Sequence, residues 1–146
     1  CSNALSADES APLFRLSTHG GHEVHALEDY RGKVVYLDFW ASWCGPCRQS
    51  LPALSLLQDE LGHDSFAVLA INMDDQPSDG LAFLEQFPVS YTVLADRSGK
   101  TSRAYDLVGL PSSVLIDKTG IVVSSFQGFQ PSHIVKLKKA IGYLLE

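Results

Sequence analysis

Cysteine is scarce in this chain: three in 146 residues, an odd number too small for a disulfide framework, so each has to be read by itself. Long apolar runs are missing too. The longest uninterrupted stretches, such as 66–71 and 121–123, fall far below the roughly 18 residues of a membrane-crossing helix. Basic charge is in deficit, with 11 Lys plus Arg against 17 Asp plus Glu and a formal charge of -6. No run of five like charges modifies that balance, which argues against any general affinity for nucleic-acid phosphates. Internal repeats and low-complexity tracts are also lacking. What is present is an ordinary globular composition, 45% apolar and 19% charged, which excludes a disordered chain, a collagen-like rod or a coiled coil. The length suits one compact domain with its own core.

Residues 1–12 read as a disordered polar tail or a tag remnant, and 13–146 as the domain. Short apolar-rich runs at 13–16 and 24–27, separated by His19-Gly20-Gly21-His22, suit a small hairpin. The run 33–39, KVVYLDF, is nearly continuous and β-branched, as in a strand buried on both faces, which makes Asp38 inside it conspicuous. From Gly45 the pattern changes. Leu54, Leu57 and Leu61 mark an amphipathic helix with Pro52 in its first turns, which predicts a kink, and Gly62 after its end. A buried strand over 65–73, a helix over 79–87, an extended run at 91–94 and a weak helix over 98–105 follow. Strands at 112–117 and 121–126 flank Lys118-Thr119-Gly120, a hairpin loop. In a final helix after Pro131 and Ser132, Ile134, Leu137, Ile141 and Leu144 line one side, with Lys136 and Lys139 elsewhere. This alternation predicts an α/β domain with a mixed central sheet and helices on both faces.

Trp43-Cys44-Gly45-Pro46-Cys47 falls between a buried strand and the start of a helix, the setting in which a C-x-x-C pair reads as redox-active. Two residues between cysteines at a helix start bring the sulfurs within disulfide distance, with the first near the unbonded N–H groups of the terminus. Those groups favour an anion. A thiolate at Cys44 is therefore stabilised relative to an ordinary thiol of pKa about 8.5, and the thiolate is the attacking species in disulfide exchange. Cys44 is expected to expose its sulfur and attack; Cys47, one turn further in, is expected to be buried and to resolve the mixed disulfide. Pro46 suits a first helical turn and limits flexing between the sulfurs.

Half of a zinc site is the rival reading of the pair, but the remaining ligands of a four-coordinate site are missing. His19, His22 and His25 occur three apart, a spacing that points His22 and His25 to opposite faces of a strand, so they read as solvated histidines and no metal site is assigned.

In chain order, GKVVYLDFWASWCGPCRQSLP, INMDD, FLEQF, VLADRSGKTSRAYDLVGLPSSVLID and KTGIVVSSFQGF resemble the thioredoxin superfamily. Within it they are similar to the periplasmic reductases related to TlpA, ResA and CcmG, also called DsbE, over residues 13–145. The resemblance implies a thioredoxin-like fold: a four- or five-stranded mixed sheet flanked by helices, an N-terminal β-hairpin and a TlpA-type insertion around 72–93. It also implies a cis Leu110–Pro111 peptide bond beside the disulfide, which places Pro111 with Cys44, Cys47 and Asp38 among the catalytic residues. Trp43, Gly45, Pro46, Gly109 and Leu110 form the expected substrate surface, where Leu110 offers its backbone to an extended segment and Gly109 permits close approach. Trp40 is assigned to the core.

Asp38 stands six residues before Cys44, the position of the buried acid in ordinary thioredoxins, where many TlpA-like proteins have Asn. A carboxyl in an apolar strand is neutralised more easily than one in water, so it suits the proton that Cys47 exchanges. The alternative is a partly solvated Asp near the strand end. TlpA-like proteins often carry their acid in the loop after the next strand, where Asp74 or Asp75 stands. Asp75 is the candidate second acid, against a surface or capping role.

The implied activity is that of a thiol-disulfide oxidoreductase reducing protein disulfides in the bacterial cell envelope, with the Cys44–Cys47 couple as redox group and no other cofactor. Its implied partners are protein disulfides or dithiols and a DsbD-like membrane electron donor, with the chain a monomer and cytochrome c biogenesis one setting. CSNALSADES contains no secretory apolar region. Ser2-Asn3-Ala4 look like a scar of tag removal, whereas Cys1 resembles the lipid-bearing first residue of a mature lipoprotein. Two other functions share the fold. A peroxiredoxin-like peroxide reductase normally shows P-x-x-x-T-x-x-C, which is absent, and a Sco-like copper-delivery protein shows C-x-x-x-C and a downstream His, not C-x-x-C.

Overall fold

Every residue of 34–40 is buried in the structure, as a continuous apolar run requires of a central strand. The computed structural model describes residues 7–19 and 21–146; Cys1 and Ser2-Asn3-Ala4, with their two readings, lie outside them. Strands β1 (Arg15–Thr18) and β2 (Val24–Ala26) form the N-terminal hairpin. Strands β3 (Val34–Trp40), β4 (Phe66–Asn72) and β5 (Thr92–Ala95) run parallel to one another. Antiparallel β6 (Ser112–Ile116) and β7 (Val122–Gln127) complete the other side. The spatial order is β2-β1-β5-β4-β3-β6-β7. Because β1 pairs with β5, the hairpin extends the five central strands into one seven-stranded sheet.

Helix α1 (Cys47–Leu61) connects β3 to β4, and α2 (Pro77–Gln86) connects β4 to β5, so α2 and the first half of β5 occupy the expected insertion. A short α3 (Lys100–Ala104) and a terminal α4 (Ser132–Leu145) complete the chain. The two faces are covered unequally. Val34, Tyr36 and Trp40 point into a cluster with Leu51, Leu54 and Leu57 of α1, Phe83 of α2, and Leu137 and Ile141 of α4. Val35, Leu37 and Phe39 point the other way, where Phe14, Leu27 and Tyr105 close the core without a long helix. Among the described residues no helix is long and apolar enough to cross a membrane.

Helix α1 continues through Pro52 and ends at Gly62, whose φ of 75° favours glycine and whose N–H donates to the Gln58 carbonyl. Buried Gln58 ties this end to the sheet: its amide donates to the Gly62 and Phe66 carbonyls and accepts the Val68 N–H. The described part of the expected tail is not free of the domain. Asp8 N–H donates to Val122, Ala11 N–H donates to Gly120, and Ala11 is buried, because this segment covers the face that lacks a long helix.

Candidate redox site

Strand β3 ends at Trp40, and four residues later Cys44 is bonded to Cys47 with 5.4 Å between their Cα atoms. The Cys44 N–H donates to the Ala41 carbonyl, which turns the chain out of the sheet. Pro46 follows in helical conformation at the N-cap of α1. Arg48 donates to the Gly45 carbonyl, and Gln49 and Ser50 to that of Pro46, leaving the Gly45 and Cys47 amides outside these turns. The expected exposure of Cys44 is corrected: Cys44 is 4% exposed and Cys47 is 0% exposed. Both cysteines belong to the core cluster that holds Trp40 and Leu51 and against which Leu110 packs, so little of Cys44 meets solvent.

Asp38 shares a face of β3 with Tyr36 and Trp40, the face turned toward this cluster. It is 2% exposed, not a solvated strand-end residue, and its Oδ2 is buried without a hydrogen-bond partner. Burial pushes its carboxyl up to about 8 from the ordinary value of 3.8. The neutral acid is therefore the principal form at pH 7. Nearby, the Tyr36 hydroxyl lies 2.6 Å from the Ser113 hydroxyl and 3.1 Å from His133 Nε2.

The Leu110–Pro111 bond is cis. The Pro111 carbonyl accepts the Gly128 N–H at 2.8 Å, whereas Leu110 takes no part in the backbone hydrogen bonds of the surrounding loops. Trp43 is 71% exposed and Val108 57%, in contrast to the fully buried Trp40. Gly45 and Gly109 have open space where a side chain would stand. The disulfide is nearly closed to solvent, the Leu110 backbone stands outside the loop hydrogen bonds among the described residues, and Trp43 and Val108 expose apolar groups.

Residues 6–142 match the redoxin family. The chain belongs to that family. ResA, a thiol-disulfide oxidoreductase of Geobacillus kaustophilus, is 35% identical over 125 residues, covering 86% of this chain and 71% of its own. A crystal structure from Chlorobium tepidum, assigned as the thiol:disulfide interchange protein DsbE, has a TM-score of 0.92 at 42% identity, covering 98% of this chain and 100% of that one. The exposed lipoprotein thioredoxin Etrx1 of Streptococcus pneumoniae has a TM-score of 0.76 at 32% identity, covering 88% of this chain and 99% of that one. Together with the Cys44–Cys47 disulfide, these likenesses make the chain a thiol-disulfide oxidoreductase of the ResA and DsbE type, within the thioredoxin superfamily.

In this redoxin, the two acids after β4 are placed differently. Asp75 is exposed, whereas Asp74 is buried and accepts hydrogen bonds from Ser42, the residue before Trp43. A groove of about 440 Å³ beside Pro46 is lined by Gln127, Phe129, His133 and Lys136, none of which the motif indicates. The reading of His19 as solvated is also corrected. It is 8% exposed and lies beside Asn72 and Gly80, and among the described residues neither ring nitrogen has a hydrogen-bond partner. His22 is exposed and His25 bonds Tyr30 and Glu23; among the described residues no three metal-ligating side chains converge.

Proposed function

We propose that this oxidoreductase reduces protein disulfides in the bacterial cell envelope, with the Cys44–Cys47 couple as its own redox group. In the reduced chain the Cys44 thiolate attacks one sulfur of a substrate disulfide, forming a mixed disulfide and releasing the other sulfur as a thiolate. Cys47, as a thiolate, then attacks the Cys44 sulfur. The Cys44–Cys47 disulfide forms, the second substrate sulfur leaves, and two electrons have passed to the substrate. Asp38 exchanges protons with Cys47, its ionised form, a minor fraction at pH 7, taking up the proton that Cys47 loses, a role supported by its burial on the same face of the core. Substrate lies across Trp43, Gly45 and Pro46 and pairs with the Leu110 backbone beside Pro111 and Gly109. A membrane donor of DsbD type returns the couple to the dithiol, and the chain works as a monomer. Asp75, at the surface, is a second acid for proton exchange with solvent.

The observation that carries this reading is the Cys44–Cys47 disulfide in the cluster against which Leu110 packs, with the Leu110 backbone outside the loop hydrogen bonds among the described residues. The lipoprotein among the similar structures supports an envelope location. Trapping tests both. Cys47→Ser expressed in the native envelope should accumulate mixed disulfides on Cys44 with cysteine-bearing envelope proteins, and Cys44→Ser should not. Equal capture by the two variants removes the assignment, and peroxide turnover or tight copper binding without disulfide exchange favours the other functions of the fold.

A further inference from the structure

Asp74 stands just beyond β4, 8% exposed, and its carboxylate is fully engaged. Oδ2 accepts the Ser42 backbone N–H at 3.0 Å and Asn72 Nδ2 at 2.9 Å, while Oδ1 accepts the Ser42 hydroxyl at 2.8 Å. The Asp74 N–H donates back to Asn72 Oδ1 at 3.3 Å. This is a two-point, charge-assisted hold between segments 32 residues apart. Ser42 lies in the short turn that leads from β3 to Trp43 and Cys44. The Met73 N–H, donating to the Trp40 carbonyl at 2.8 Å, closes the same seam. Helix α2 seals it from behind, where a Cβ on Gly80 would lie 2.8 Å from both Asn72 Oδ1 and His19 Nε2.

We propose that Asp74 is a positioning residue for disulfide exchange: through Ser42 it fixes the turn that presents Trp43 and the Cys44 sulfur. Besides this hold, the turn is tied by the Cys44 N–H to the Ala41 carbonyl and, in the oxidised state, by the disulfide, while Trp43 is exposed. Without the carboxylate, the Ser42 N–H loses its acceptor and the turn can shift. Displacement of a reacting sulfur by a fraction of an ångström is enough to slow an in-line exchange.

Asparagine distinguishes this role from proton transfer. In Asp74→Asn the side-chain oxygen takes the place of Oδ2 and the amide nitrogen donates to the Ser42 hydroxyl, so every contact is kept but the group cannot titrate. Asp74→Ala should lower kcat/KM for reduction of insulin disulfides roughly ten-fold. Acrylamide quenching, which reads Trp43 because Trp40 is fully buried, should change in parallel. Asp74→Asn should restore both to within about three-fold of the parent. Asp74→Ala with rates and quenching unchanged overturns the proposal, and so does Asp74→Asn as impaired as the alanine variant, which assigns the residue to charge or proton transfer. If Asp74→Ala does not fold, Asp74→Leu, which keeps the volume but accepts no hydrogen bond, is read in its place: slowed exchange with changed quenching supports the hold, and parent values for both refute it.

Discussion

Asp38 stands directly opposite Ser113 across the β3–β6 ladder, yet its Oδ2 takes no hydrogen bond while the Ser113 hydroxyl lies 2.6 Å from that of Tyr36. An ionised carboxylate left this way in the core is poorly stabilised, so the acid is held neutral by burial.

That arrangement fixes the sign of a pH effect on stability. Asp38 titrates at about 8 when folded and near 3.8 when exposed, so between these values the folded chain binds the extra proton. Its contribution is full below about pH 4 and is lost as pH rises toward 8, at up to about 1.4 kcal/mol per pH unit. Asp38→Asn should flatten this slope and raise the melting temperature at pH 8, as calorimetry across the range would show. A slope identical to the parent's places Asp38 in a solvated setting.

The same substitution has a kinetic consequence. If Asp38 takes the Cys47 proton, Asp38→Asn slows resolution of the mixed disulfide more than its formation, by the roughly 100-fold typical of a lost general base. Stopped-flow measurement with a fluorescent disulfide separates the two steps. Rates unchanged from the parent's in both steps from pH 6 to 8 return the residue to a structural role.

Alkylation distinguishes the two sulfurs. Cys44 retains a 4% exposed edge in the disulfide and precedes the helix, whereas Cys47 is wholly enclosed within its first turn. Peptide mapping after brief treatment of the reduced protein at neutral pH should find the label on Cys44. Faster labelling of Cys47 reverses the roles in the exchange.

The order of strands and helices was legible because the apolar periodicity of each element survives in its burial: β3 alternates between two clusters, and Leu54 and Leu57 face the sheet. The C-x-x-C pair was legible because two residues at a helix start leave its sulfurs few arrangements. Other features depend on long-range contacts that no local pattern encodes. His19 lies against α2, Cys44 is buried in the cluster that holds Trp40, and Ala11 in the cluster on the face without a long helix. Asp74 and Asp75 are adjacent in sequence, and only the distant Ser42 turn distinguishes them. Gln58 was missed because a polar residue among the leucines of α1 gives no sign of the strand backbone it serves.

The direction of electron flow is set by how far the reduced state is stabilised. A strongly oxidising couple needs an unusually favoured Cys44 thiolate. Here only Gly45 and Pro46 stand between the cysteines, no basic side chain is supplied there, and Arg48 just beyond is exposed. The neutral Asp38 adds no positive charge either. The helix terminus alone gives moderate stabilisation, so the couple should lie nearer the thioredoxin potential of about -270 mV than the DsbA value of about -120 mV. Equilibration against glutathione and dithiothreitol buffers, with the Cys44–Cys47 state read by alkylation and mass, measures it. A potential above about -160 mV makes the protein an oxidant or isomerase and reverses the proposed direction of transfer.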